Sequence, residues 1–220
     1  MKQAYDVKIS GDDAVRIEGL SRAERDAIYA QLKAQQDWVE VVPARSSVTV
    51  QFDPLLTSPS EALEKINRGF DTVRTGAGEQ TSPIEIPVVY GGAYGPDLNA
   101  TCEALELSAE ELIARHTELV HRVDFLGFTP GFSYLYTDED TGFDTPRLNR
   151  PRQKVAPGSI GVVAGATGVY ALAGPGGWPV IGRTPIQLFD PSSPSPSRLV
   201  SGQRVTFRSI PAAEFDEHAR

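Results

Sequence analysis

The chain has 220 residues, 40% hydrophobic and 23% charged, which suits one large domain or two modest ones with a real core and excludes extensive disorder. A formal net charge of −8 excludes a generic nucleic-acid or acidic-membrane binder, which would need the opposite balance. The single cysteine, Cys102, excludes an internal disulfide, and no run approaches the length of apolar sequence that spans a bilayer. The opening MKQAYDVKIS lacks an apolar h-region, so no signal peptide is expected and a cytoplasmic, reducing setting is.

Residues 1–82 read as one unit. YDVKIS and AVRIEG are short strand candidates. SRAERDAIYAQLKAQQ follows as a helix, with Ser21 and Glu24 three apart as a capping box and Ile28 and Leu32 on one face. WVEVV and SSVTVQF are strands, the second alternating Val48, Val50 and Phe52. SPSEALEKINRGFDTV opens a second helix with Ser58, Pro59 and Glu61 at the cap, first and third positions. Its Leu63, Ile66, Phe70 and Val73 form a core-facing stripe. The order strands, helix, strands, helix predicts a small α+β sandwich.

TGAGEQTSP at 75–83 is small and polar and reads as a linker, which places a domain boundary between residues 82 and 83. IEIPVVYG is a strand and GGAYGPDLNA a loop. SAEELIARHTELV is a helix with Ser108 and Glu111 as its capping box, and HRVDFLGF is a strand. From Gly127 the texture changes. Between 127 and 182 lie 11 of the 20 glycines and 6 of the 17 prolines, and short apolar runs such as SIGVVAG, GVYALAG, IQLF and RVTF are separated by turns. That pattern predicts a compact β-barrel or sandwich over 83–220.

Although the protein is acidic, residues 145–189 contain no Asp or Glu, and they hold Arg147, Arg150, Arg152, Lys154 and Arg183. Such a window is either a solvated basic face or an anion site. Pro146 and Pro151 flank the PRLNRPR arginines and stiffen their backbone, and a rigid arginine fork suits carboxylate or phosphate. In GPGGWPVIGR, at 174–183, Gly176 and Gly177 leave backbone N–H groups unobstructed, and Trp178 offers one wall of a pocket. Taken alone, the same loop reads more readily as a tight turn capped by a core tryptophan.

Other chemistry is thinner. His116, His121 and His218 lack ligand-like spacing, so no metal site is expected. Ser133 in GFSYL lacks the flanking pattern of a nucleophile elbow, and no P-loop is present. Cys102, a few residues before a helix start, has no activating neighbour and reads as inert. Asp124 reads as a surface carboxylate more readily than as an acid or base.

Several segments together resemble one family: YGGAYGPDL, SAEELIARHTE, VDFLGFTPGFSYL, TPRLNRPRQKVAPGSIGVVAG, TGVY, PGGWPVIGRTP and LFDP, in order between residues 90 and 191. They resemble the KipI/PxpB family, the allophanate hydrolase subunit 1 type also known as the B-type subunit of 5-oxoprolinase. The resemblance implies an N-terminal α+β domain followed by a cyclophilin-like β-barrel, with no prolyl isomerase activity following from the shape. It implies a larger partner subunit of related architecture (the KipA/PxpC type) and a metal-dependent third subunit. Together these would convert 5-oxoproline to glutamate with ATP, bound as Mg-ATP on this chain or its partner. It further implies catalytic roles for Arg147, Arg152, Arg183 and His116. A substrate or ATP pocket would be drawn from Pro130, Gly131, Phe132, Tyr134, Gly158, Thr167, Tyr170, Gly176, Gly177 and Trp178, with no metal held by this chain. Ala166 stands where such sequences commonly carry glutamine, which puts substrate choice in question.

Two functions from different classes fit. One is an enzyme subunit, incomplete alone, whose arginines hold the carboxylate of 5-oxoproline or a phosphate of ATP; a related substrate would be an allophanate- or urea-type amide. The other is a regulatory module whose basic face docks an acidic patch on a sensor histidine kinase. The rigid Gly/Pro loops favour the first, because preorganisation matters more for a small-molecule site.

Overall fold

A computed structural model describes residues 5–69, 82–139 and 141–218. The chain divides into two compact units, Met1–Gln80 and Thr81–Arg220. Most of the expected linker, together with Phe70 and Val73, lies outside the described residues.

The first unit is a two-layer α+β sandwich. Strands β1 (Asp6–Ser10), β2 (Ala14–Glu18), β3 (Glu40–Pro43) and β4 (Val48–Gln51) form an antiparallel sheet in the order β1-β2-β4-β3. Alternation along the strands sends Val15, Ile17, Val41, Val48 and Val50 to one face. Helices α1 (Arg22–Ala34) and α2 (Pro59–Gly69) bring Ile28, Leu32, Ala62 and Ile66 onto it. Each large aliphatic side chain buried there contributes roughly 1.5–3 kcal/mol relative to exposure. Both helices start as their sequences require. Ser21 N–H donates to the Glu24 carboxylate at 2.8 Å while Ser21 Oγ accepts from Glu24 N–H, and Ser58 with Glu61 repeats the arrangement.

The second unit is built on a closed seven-stranded barrel. Its strands are β5 (Ile84–Tyr90), β6 (His121–Leu126), β7 (Ser133–Tyr136), β9 (Ser159–Val163), β10 (Ala166–Val169), β12 (Val180–Arg183) and β13 (Arg204–Ser209). The ring runs β10-β7-β6-β13-β5-β12-β9 and closes on β10. All its neighbours are antiparallel except β13 and β5, the last and first strands, which run parallel. Two further strands, β8 (Arg152–Val155) and β11 (Gly174–Gly176), pair only with each other. Ile86, Val88, Val123, Leu135, Phe143, Ile160, Val162, Val169, Ile181, Val205 and Phe207 form one buried core, to which helix α4 (Ala109–Glu118) adds Leu112. The Ser108–Glu111 capping box starts α4. The α+β sandwich followed by a β-barrel is thus the architecture of the chain.

Two local expectations are corrected. GGAYGPDLNA is not loop throughout: Leu98 begins helix α3 (Leu98–Leu105), and Cys102 lies inside that helix, where burial raises its thiol pKa. Asp124 is not a surface carboxylate. It lies on β6 with 7% of its surface exposed, at the point between Val123 and Phe125 where the pairing of β6 with β7 shifts register and the strand's alternation is broken.

Candidate functional site

The GFTPGF turn, β7, β10 and the GPGGW loop together build an aromatic face. Phe132, at the end of the turn, packs edge-on against Tyr134 at 4.7 Å and Tyr170 at 4.9 Å between ring centroids. Trp178 stands 5.8 Å from Tyr134 and 6.2 Å from Phe132. The floor under these rings is glycine. A Cβ on Gly168 would lie 2.9 Å from both Phe132 Cζ and Trp178 Cε3, so only a residue without a side chain lets the rings settle there. Phe132, Tyr170 and Trp178 are buried, and Tyr134 is half-buried at the rim. Phe128 is 59% exposed and meets Phe132 edge-on, held with φ of +66°, a conformation that costs a bulky residue energy.

Two arginines join this face. The loop before β8 is tied to the GPGGW loop by the Leu148 N–H, which donates to the Gly177 carbonyl at 2.7 Å. That bond ties the segment carrying exposed Arg147 to the aromatic face, and the Arg147 charge acts on both Tyr134 and Tyr170. Arg152, at the start of β8, also acts on Tyr170. Burial pushes both phenols above their ordinary pKa range; the guanidinium charges oppose this, and for Tyr170 a hydrogen bond from the Trp178 backbone N–H opposes it more strongly. Both hydroxyls therefore stay protonated at neutral pH and can donate. Gly176, whose added Cβ would lie 2.6 Å from the Tyr170 hydroxyl, lets β11 pass beneath it. The arrangement offers an anion the exposed Arg147 charge, an Arg152 guanidinium, and two neutral hydroxyls on a rigid floor, the Arg152 charge being shared with Asp97.

Not every expected residue lies on this face. His116 is completely buried on α4, between the Tyr90 hydroxyl at 2.7 Å from Nδ1 and Thr167 Oγ1 at 3.2 Å from Nε2. Its ring lies 4.5 Å from Phe207 and 4.9 Å from His121. Burial, and next the neighbouring His121, hold His116 well below the ordinary histidine range, while burial pushes Tyr90 up. Thr167, next to Gly168 on β10, belongs to this inner group. Arg183 Nε donates to the Pro157 carbonyl at 2.8 Å and its guanidinium lies 5.3 Å from the Phe215 ring, so its partners are not those of the aromatic face. Gly158, one residue on from Pro157, donates to the Tyr170 carbonyl at 2.6 Å. Gly131 takes a positive φ in the GFTPGF turn, and Pro130 is exposed beside it. Among the described residues no group of three or more His, Cys, Asp or Glu is placed to hold a metal ion, and no helix is long and apolar enough to cross a membrane.

The profile of the family described as "Carboxyltransferase domain, subdomain C and D" matches residues 5–199. The chain belongs to this family. Among its relatives, the B-type subunit of 5-oxoprolinase from Bacillus subtilis (strain 168) is 33% identical over 240 residues, covering 100% of this chain and 98% of that protein. The B-type subunit of 5-oxoprolinase from Escherichia coli O157:H7 is 40% identical over 173 residues, 77% of each chain. The crystal structure of conserved uncharacterized protein PH0987 from Pyrococcus horikoshii shares 38% identity with a TM-score of 0.59, covering 96% of this chain and 100% of that one. The KipI/PxpB membership read from GFTPGFSYL and PGGWPVIGRT agrees with these relatives.

Within this carboxyltransferase-family barrel, the motif residues thus divide into an outer face and an inner histidine group. Sequence reasoning missed three members. Tyr90 and His121 complete the inner group. Asp97 is nine-tenths buried and accepts both terminal nitrogens of Arg152, at 2.7 Å each, together with the Val180 N–H. The signal for Asp97 was an acid next to a glycine and a proline in YGGAYGPDL, opposite a stretch of chain that has no acid of its own.

Proposed function

We propose that this chain is the B-type subunit of an ATP-dependent 5-oxoprolinase, acting with a larger partner subunit to open the lactam of 5-oxoproline to glutamate. Relatives that carry the name of this 5-oxoprolinase component, one of them matched along its whole length, support a place in a multi-subunit amide-hydrolysing assembly. The observation that carries the reading is the aromatic face of Phe132, Tyr134, Tyr170 and Trp178, to which the segment of exposed Arg147 is tied through Leu148 and Gly177, and beneath which Arg152 pairs with Gly176. That set suits a carboxylate beside a compact, uncharged ring, which is the shape of 5-oxoproline; a phosphate of ATP has the same needs. Arg147 supplies charge from the exposed side, the phenols donate, and the aromatic wall excludes water from one side of the ligand. ATP supplies the activation that a lactam C–N bond requires, and this chain's part is to hold and orient the anionic substrate.

The test is turnover. The chain is co-expressed with its larger partner, the metal-dependent third subunit is added, and glutamate release from 5-oxoproline is followed with and without ATP. Arg147→Ala should lower kcat/KM by roughly 10–100-fold, the cost of one charge-assisted contact, without changing the unfolding midpoint. Parent-level turnover in that variant, or turnover indifferent to omitting the chain, would sink the proposal. A stable but inactive complex would redirect it to another amide or urea-type substrate. No complex at all would favour the kinase-docking alternative.

A further inference from the structure

Asp97 occupies the position before α3, where an aspartate ordinarily caps the helix by accepting from first-turn N–H groups. Its side chain makes no such bond. Instead Oδ2 accepts from Arg152 Nη1 and from the Val180 N–H, and Oδ1 accepts from Arg152 Nη2, all at 2.7 Å. The Asp97 N–H in turn donates to the Val180 carbonyl at 2.9 Å. The two side chains are 12% and 33% exposed, carboxylate and guanidinium respectively, so this bidentate pair is better shielded than an ordinary surface ion pair.

Three segments far apart in sequence therefore meet at one carboxylate: the start of α3, the start of β8 and the start of β12. Two of them lead into the aromatic face. Arg152 pairs across β8 and β11 with Gly176, which passes beneath the Tyr170 hydroxyl, and Val180 follows by two residues the Trp178 that packs on Phe132 and Tyr134. The backbone before Asp97 is jammed against β12, since a Cβ on Gly95 would run into the Ile181 carbonyl. Asp97 thus has a fixed seat and cannot follow a drifting arginine.

We propose that Asp97 is a positioning residue for the anion site: by gripping one edge of the Arg152 guanidinium it turns the remaining N–H groups and charge toward Tyr170, without itself touching the ligand. This inference rests on the anion-holding role given above to the Arg147–Arg152 face. Asp97 also offsets part of the Arg152 charge, which leaves Arg147 the dominant attraction and Arg152 chiefly a source of geometry.

The test uses D97N, R152A and the double variant in a W38F chain, where Trp178 is the only tryptophan. Asparagine keeps the volume and an acceptor for the Val180 N–H, and gives up the charge and one arginine acceptor. In the reconstituted complex D97N should lower kcat/KM for 5-oxoproline roughly 10–100-fold, mainly through KM, the cost of a misplaced binding group. It should cause no further loss in the R152A background. Trp178 emission should shift in D97N as it does in R152A. Losses that multiply in the double variant, or a D97N complex with parent kcat/KM beside an impaired R152A, would overturn the proposal. Because emission needs no substrate, the two readings fail separately. An inactive parent complex with a shared emission shift refutes 5-oxoproline as substrate and upholds the positioning role. An active complex with parent-like D97N kinetics and emission does the reverse. Should D97N not fold, R152K, which keeps the charge and loses the fork, must show the same rise in KM; a parent-like KM there overturns the proposal.

Discussion

Acid should weaken the barrel well above the pH at which carboxylates titrate, and two histidines are the reason. His116 and His121 are buried side by side, the His121 ring edge-on to Phe207 at 4.9 Å and the His116 ring stacked on it. Burial holds both below the ordinary histidine range; for His116 the neighbouring His121 adds to this, and for His121 the hydrogen bond to the His116 carbonyl partly opposes it. Among the described residues His121 Nδ1 has no hydrogen-bond partner, so none of them is arranged to receive a second proton on the ring. In the unfolded chain both rings take up a proton near pH 6.5. With the folded-state pKa depressed, the unfolded state binds more protons below that pH, so stability is fully present above it and is lost as pH falls. Integrating the linkage between pH 7.5 and 5.5, each histidine that stays neutral when folded removes about 1.4 kcal/mol, or about 3 kcal/mol for the pair. Urea unfolding of the W38F chain, followed by Trp178 emission so that the signal reports the barrel, measures this directly. His116→Gln should roughly halve the pH slope whatever it does to the midpoint. A midpoint that is flat from pH 7.5 to 5.5, or a His116→Gln slope equal to the parent's, would refute the argument that the rings are held neutral.

Two further outcomes are expected. Gly168→Ala places a methyl 2.9 Å from the rings of Phe132 and Trp178, and should cost about 1–3 kcal/mol by overpacking, with a red shift of Trp178 emission measured in the same urea series. Ser108→Ala removes the side-chain acceptor at the start of α4 and should cost about 1 kcal/mol, read as a lower thermal midpoint with Trp178 emission unchanged.

Local patterns in this sequence translate directly into structure, and long-range ones do not. The capping boxes at Ser21 and Ser108 and the alternation of Val48, Val50 and Phe52 are short-range chemistry, and each element formed where that chemistry lies. Helix α3 escaped notice because its cap position is held by an aspartate that does not cap, behind a run of glycines and a proline that reads as loop. The site was legible as a set of motifs and illegible as geometry. A motif treats neighbours such as Thr167 and Gly168 as one unit, yet a strand turns them to opposite faces, so Thr167 reaches His116 and Gly168 seats the aromatic rings. The pairing of Asp97 with Arg152 spans 55 residues, and no local pattern announces it.

The parallel pairing of β5 with β13 has a consequence for how the molecule is made. The ring is completed by its own first and last strands, Ile84 lying beside Val205, so no partial product emerging from the ribosome can close it. Until residue 209 is available, β5 and β6 each keep an unpaired edge next to the vacant position of β13. The N-terminal sheet and the helices that cover it lie within residues 6–69 and are free to form while the rest is being synthesised. Biogenesis should therefore proceed in two stages, an early sandwich and a late barrel of high contact order, with the nascent β5 and β6 edges the point at which chaperones or partner strands have their opportunity.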